Sequence, residues 1–267
     1  MKIPYFSIIV LLLIVLVSFF GNYFYTLSAY ELDKTAILLA PSSEHIMGTD
    51  RLGRDVFARM MEGGKVSLTI GVGSAVIASF LGLIIGVSAG FFRGNVDKGI
   101  IIMIDLFLTF PTFFLLLALI SYMNASIMIL IIVISITGWM GMARLIRSES
   151  FAISSKPFIK ILKLSGVSRM KIILKYFTPL LAPIFFISFT FGVGGAILAE
   201  SGLSFLGIGI MPPQISWGSV LSEGKDVVDI AWWLSFFPGL MIFFVIYALS
   251  NISDFLQSYT NQKEKVL

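Results

Sequence analysis

Six stretches of this chain carry no charged side chain: Ile3–Tyr30, Val66–Phe92, Leu106–Ala143, Tyr176–Ala199, Ser201–Ser222 and Ile230–Ser253. A helix needs about 20 apolar residues to cross the hydrocarbon of a bilayer. Every run is that long. Leu106–Ala143 is too long for one crossing and divides around Ser121-Tyr122-Met123-Asn124. Ser201–Ser222 contains Gly207, Gly209, Pro212 and Pro213, so most of it reads as re-entrant or external. Six spans remain, and the expected fold class is an all-α polytopic membrane protein with six transmembrane helices. With 57% hydrophobic and 13% charged residues, a soluble globule is excluded.

The cations are sorted by side. If Met1 is cytoplasmic, the inner segments hold thirteen Lys/Arg and the outer ones six. This bias follows the positive-inside rule and puts both termini in the cytoplasm of a cell (inner) membrane protein. It also gives the net charge of +4 a membrane explanation, with no nucleic acid. The expected organisation is a first transmembrane helix in 1–30 and an extracytoplasmic segment with an interfacial helix in 31–65. A core of five helices follows in 66–256, with a cytoplasmic loop at 144–180, and then a tail at 257–267. The first apolar run exceeds the 7–15 residues of a signal-peptide core, so it reads as an uncleaved span. There is no cysteine, hence no disulfide or thiolate site.

Eight of the 19 Lys/Arg fall between Arg144 and Pro183. The spacing predicts two short helices joined at Gly166. Ser155 caps the first, Pro157 opens it, and Phe158, Ile161 and Leu162 share one face while Lys156, Lys160 and Lys163 share another. Ser168 caps the second, with Met170, Ile173, Leu174 and Phe177 as its apolar stripe. A hairpin of this kind suits an anionic lipid surface.

A glycine followed by Pro179 in a basic loop between spans also resembles the cytoplasmic "EAA" loop of permease subunits of ATP-binding-cassette importers. Where that family has Glu-Ala-Ala, this chain has Lys160, Ile161 and Leu162. Two further strings resemble the dipeptide, oligopeptide and nickel branch. One is Gly48-Thr49-Asp50-Arg51-Leu52-Gly53-Arg54-Asp55, continuing to Arg59. The other runs from Ser204-Phe205-Leu206-Gly207 through Pro212-Pro213 to Ser216-Trp217-Gly218.

The resemblance implies a type I importer permease fold and half of a translocation pathway for peptides or nickel and metal–chelator complexes. It implies a homologous second permease, two ATPase subunits that bind ATP and magnesium, and an extracytoplasmic solute-binding protein. Phe158, Lys160, Ile161, Leu162, Lys163, Gly166, Val167, Ser168 and Pro179 become the candidates for coupling to the ATPase. For the outer string, Gly48, Thr49, Asp50, Gly53, Arg54 and Asp55, the expectation is surface pairing of Asp50, Arg54 and Asp55, worth about 0–1 kcal/mol per exposed pair.

Two carboxylates fall within spans and are candidates for the pathway. Asp105 is expected to pair with Arg93, Lys98 or Arg144. Glu200 either lines the path or bonds freed backbone. Ser74, Ala78, Gly82, Gly86 and Gly90 repeat every fourth position, which lets another backbone approach, within the subunit or from a partner. Trp217 is expected at the membrane interface, and Trp232 and Trp233 at the outer edge of the last span.

The chain has no GxxxxGK[ST], so ATP must bind elsewhere. Gly86-Val87-Ser88-Ala89-Gly90 formally matches a hydrolase elbow, but the one histidine, His45, is expected across the membrane. No catalytic residue, metal ligand or resident cofactor is assigned. The alternative is an ion-gradient-driven secondary transporter, which would need a midplane proton or sodium site.

Overall fold

The computed structural model describes residues 3–266, and side chains as far as Thr260. Lys2, counted above among the inner cations, lies outside the described residues, as do the side chains of Lys263 and Lys265. The described chain is helical. Five helices are long and apolar enough to span a membrane: α1 (Tyr5–Phe20), α2 (Val56–Phe92), α5 (Ile127–Ser155), α8 (Thr178–Phe205) and α10 (Trp233–Val266). Taken together, α3 (Gly94–Leu108) and α4 (Thr112–Ile120), bent by 78° at the break between them, are long and apolar enough for a sixth crossing. Pro111 causes that break, since it lacks an N–H and pushes Phe110 out of helical conformation.

The core is α2, a helix of 37 residues and about 55 Å. It packs chiefly on α5 and α8, while α10 packs on α8 and α1. The small-residue face meets α5 of the same chain. A Cβ on Gly82 would stand 2.6 Å from Met142, one on Gly86 2.7 Å from the Ala143 carbonyl, and one on Gly90 2.5 Å from Ser150 Cβ. Ala78 joins this seam beside Trp139 and Ala143. The glycines therefore let two backbones close up within the subunit.

The ends of α2 define two poles. At one pole lie the 24–55 segment and α9 (Trp217–Gly224), around a core of Val56, Met60, Met61, Trp217 and Trp233. Trp217 is 1% exposed and its Nε1 donates to the Met60 carbonyl at 3.0 Å, so it is a core residue and not the interfacial anchor expected. The short interfacial helix expected before Lys65 is the first turns of α2. Asp55 starts that helix by accepting from the Ala58 N–H at 2.8 Å.

At the other pole lie α6 (Pro157–Leu164) and α7 (Arg169–Ile172). Helix α5 does not stop at Ala143 but runs on to Ser155: Ile146 and Ile153 are buried against Val87 and Phe91 of α2, and Arg147 and Arg144 pair with Asp97 and Asp105 of α3. The last helix likewise runs on to Val266, into the tail expected at 257–267.

Candidate functional site

The loop pole carries the first candidate. Gly166 has φ +76°, the Val167 N–H donates to the Leu162 carbonyl at 3.2 Å, and the Gly166 N–H to Lys163 at 3.3 Å. These two bonds form a Schellman end to α6, with Leu162 and Val167 packed together behind it. The caps differ from expectation. Ser155 belongs to α5, where its hydroxyl donates to the Phe151 carbonyl, and Lys156 holds the N-cap position of α6. Ser168 holds that position for α7 without a side-chain bond.

The faces differ too. Ile159 and Ile172 are fully buried with Phe177, Ile153 and Phe91, and they pin the hairpin to α2 and α5. Of the expected stripes, Phe177 is buried and Ile173 and Leu162 partly so. Phe158, Ile161, Met170 and Leu174 point outward, joined by Leu164, which is 88% exposed. Lys163 leaves the shared basic face. Its Nζ lies 4.4 Å over the Phe91 ring and 3.4 Å from Ser154 Oγ. Burial, with Arg93 and Arg169 nearby, lowers its pKa below the usual lysine range. Lys160 stays exposed.

Beyond α7 the helix does not end. A π turn over Ile173–Phe177 joins it to α8, giving one unbroken helical rod from Arg169 to Phe205. Pro179 explains the turn: it has no N–H to give the preceding turn, and Thr178 Oγ1 donates instead to the Ile173 carbonyl at 3.0 Å. Helix α7 and the fifth span are thus one continuous helical element.

The opposite pole holds a buried ionic knot. Asp50 Oδ2 lies 2.6 Å from Arg54 Nε and 3.0 Å from Arg59 Nη1. Glu223 of α9 takes Arg59 at 2.7 Å and Arg54 at 3.1 Å. The pairing of Asp50 with Arg54 is as expected, but its setting is not: Asp50 and Arg59 are each about 1% exposed. The small value of exposed pairs does not apply to them. Asp55 also accepts from Tyr25 Oη at 3.0 Å and lies 2.9 Å from His45 Nδ1. Burial and that carboxylate push the Tyr25 hydroxyl above its usual pKa range.

Thr49 donates to the Ala36 carbonyl, and its own carbonyl accepts from Trp233 Nε1 at 3.0 Å. Gly48 and Gly53 both have φ +75°. A Cβ on Gly53 would stand 1.8 Å from the Asp33 carbonyl oxygen. The motif is a folded plug that fastens the start of α2 to α9 and α10. Arg59 and Glu223 were not among the expected site residues; Arg59 closes the string, but nothing in the sequence pairs it with Glu223.

Glu200 is fully buried. Its carboxylate accepts from Ser204 at 2.7 Å, Ser67 at 2.9 Å and Ser201 at 3.5 Å. Ser67 also accepts from the Trp217 N–H at 3.1 Å, so Glu200 ties α2, α8 and α9 together. Asp105 pairs with Arg144 at 2.5 Å, and both are more than half exposed. Neither carboxylate is a free midplane group. Among the described residues no group of three acidic or histidine side chains is placed to hold a metal ion.

Between α2, α4, α5, α8 and α10 lies a cavity of about 630 Å³. Ala75, Ala78, Gly192, Gly195 and Phe191 line it, with hydroxyls from Ser79, Thr112 and Thr137. Neither Glu200 nor Asp105 is in its wall, although Ala196 and Ala199 are. Among the described side chains, Glu149 is its one charged lining residue.

These features, a bundle of membrane-crossing helices with a cavity among them and a loop helix continuous with one of them, define a multi-pass transport permease. The same fold occurs in the MetNI methionine ABC transporter in its inward-facing conformation (TM-score 0.59, 14% identity, covering 74% of this chain and 96% of that one). The chain belongs to the family of binding-protein-dependent transport system inner membrane components, whose model matches residues 82–266.

It is 30% identical to the oligopeptide transport system permease protein OppC of Haemophilus influenzae, over 97% of this chain and 84% of that protein. It is 33% identical to the dipeptide transport system permease protein DppC of Bacillus subtilis, over 96% and 81%. With the nickel transport system permease protein NikC of Escherichia coli it shares 28% over 95% and 91%. The chain is a permease subunit of an ATP-binding-cassette importer, and nucleotide hydrolysis is not its own activity.

Proposed function

We propose that this subunit forms one half of a pathway through the cytoplasmic membrane for peptides or for nickel and its chelates. The cargo class follows the relatives, which are named for oligopeptide, dipeptide and nickel transport. A second, homologous permease supplies the other half. Two ATPase subunits carry ATP and magnesium, and a solute-binding protein delivers cargo on the outer side. In this reading the loop pole and both termini face the cytoplasm, which the distribution of Lys and Arg supports.

The observation that carries this reading is the outward apolar face of Phe158, Ile161, Leu164, Met170 and Leu174. Large apolar side chains on a loop outside the bilayer mark a protein contact. Here they sit on a hairpin continuous with α8, so a push on the hairpin moves a wall of the cavity. ATP drives this only if it binds the two arrangements with different affinity. The ionic plug and the Glu200 shell fix the outer ends of α2, α8 and α9 as one body against which that lever works.

Reconstitution tests the proposal. The chain with its neighbouring permease, ATPases and binding protein in proteoliposomes is expected to take up Ala-Ala or Ni²⁺ with ATP and not without it. Uptake driven by an ion gradient in the absence of the ATPases would overturn it.

A further inference from the structure

Resting on the reading of the cavity as the passage, we propose that Glu149 is a cation-accepting site at its cytoplasmic end, taking a peptide's ammonium group or a divalent metal ion as cargo leaves.

Glu149 is the only acidic residue of α5 and, among the described side chains, the only charged residue in the cavity wall. The two cations near it in sequence are already engaged: Arg144 with Asp105 at 2.5 Å and Arg147 with Asp97 at 2.5 Å. Among the described side chains, Glu149 has neither an ion pair nor a hydrogen-bond partner. Glu149 is half-buried, so its carboxylate can face both the cavity and its mouth. Its field also reaches further beside low-dielectric walls than it would in water.

Position adds the second argument. Glu149 lines the cavity with Leu180, Gln257 and Thr260, at the end next to α6 and α7. Cargo leaving there meets the eight Lys/Arg of the loop region. A positive group would be repelled by that field, and Glu149 stands in front of it with the opposite sign. The Gln257 amide and the Thr260 hydroxyl offer neutral donors and acceptors at the same end. An ammonium group and a metal ion share the chemistry this site selects.

The test uses the full importer in proteoliposomes with Glu149→Gln, which keeps the shape and removes the charge. Wild type is expected to take up Ala-Ala or Ni²⁺. The variant is expected to lose about tenfold or more of that uptake, the scale of one lost charge contact, with its ATP hydrolysis unchanged. Loss for Ala-Ala alone identifies the ammonium as the ligand; loss for Ni²⁺ alone identifies the metal. Unchanged uptake of both overturns the proposal.

If wild type moves neither probe, the functional reading fails, and a second measurement decides the site. Carbodiimide coupling of glycinamide to the purified complex, read by mass spectrometry, is expected to modify Glu149. The quaternary N,N,N-trimethylalaninamide or Ni²⁺, neither of which can couple, should protect it, and the neutral N-acetylalaninamide should not. An unmodified or unprotected Glu149 overturns the site.

Discussion

Arg59 meets Glu223 at 2.7 Å across 164 residues of chain, and so joins the first turns of α2 to α9. The same guanidinium lies 3.0 Å from Asp50, with both of those side chains about 1% exposed. The pole opposite the α6–α7 loop is therefore held by charge inside protein, where a lost partner is felt in full.

Asp50→Ala leaves Arg59 and Arg54 short of their buried counter-ion. Breaking a buried pair from one side costs about 3–5 kcal/mol. Glu223 is 32% exposed, so water can replace part of what Glu223→Ala removes. Thermal unfolding of the purified protein in detergent should show a larger drop for Asp50→Ala than for Glu223→Ala. Equal drops would mean that the knot is wetter than its geometry.

Gly53→Ala should be far worse than Gly94→Ala. Both glycines have positive φ, +75° and +57°. The Gly53 Cβ would collide with the Asp33 carbonyl, whereas nothing lies within 4 Å of a Cβ at Gly94. Gly94→Ala bears only the left-handed strain of about 1–2 kcal/mol. The check is the yield of monodisperse protein for each variant.

Gly86→Leu pushes α2 off α5, since even a Cβ there would stand 2.7 Å from the Ala143 carbonyl. Overpacking of this kind costs about 1–3 kcal/mol or more. Gly99→Leu, at a glycine of α3 with open space around it, should be tolerated. Expression and detergent stability distinguish the two.

Gly166→Val should abolish ATP-driven uptake while membrane insertion persists. The position needs φ +76°, which valine avoids and asparagine tolerates. Gly166→Asn should keep most transport. Full uptake by the valine variant would show that the bend between α6 and α7 is not part of the drive.

The spans were legible because charge is absent from them, and an apolar run long enough to cross a bilayer cannot be hidden inside a small soluble core. The outer string and the loop glycine were legible as local patterns. What stayed hidden depends on partners distant in sequence. Arg144 and Arg147 looked like the start of a loop; the Asp105–Arg144 pair was among those expected, but the Asp97–Arg147 pair and the continuation of α5 that brings Glu149 to the cavity were not. Trp217 looked interfacial because the turn before it is rich in glycine and proline. In the fold the Met60 carbonyl accepts its N–H inside the core. Ile159 and Ile172 look no different in composition from Ile161, and only the packing of Phe91 and Phe177 decides which side is inward.

The central claim is that the α6–α7 hairpin is worked from the cytoplasm by a nucleotide-hydrolysing partner. The chain has no cysteine of its own, so Ile161→Cys provides a single site for cross-linking in the assembled complex. The account predicts capture of the ATPase subunit at Ile161→Cys, with a yield that changes on adding ATP, and no labelling of intact cells by an impermeant maleimide. Labelling from outside, or no ATPase captured at Ile161, Leu164 or Met170, would contradict it.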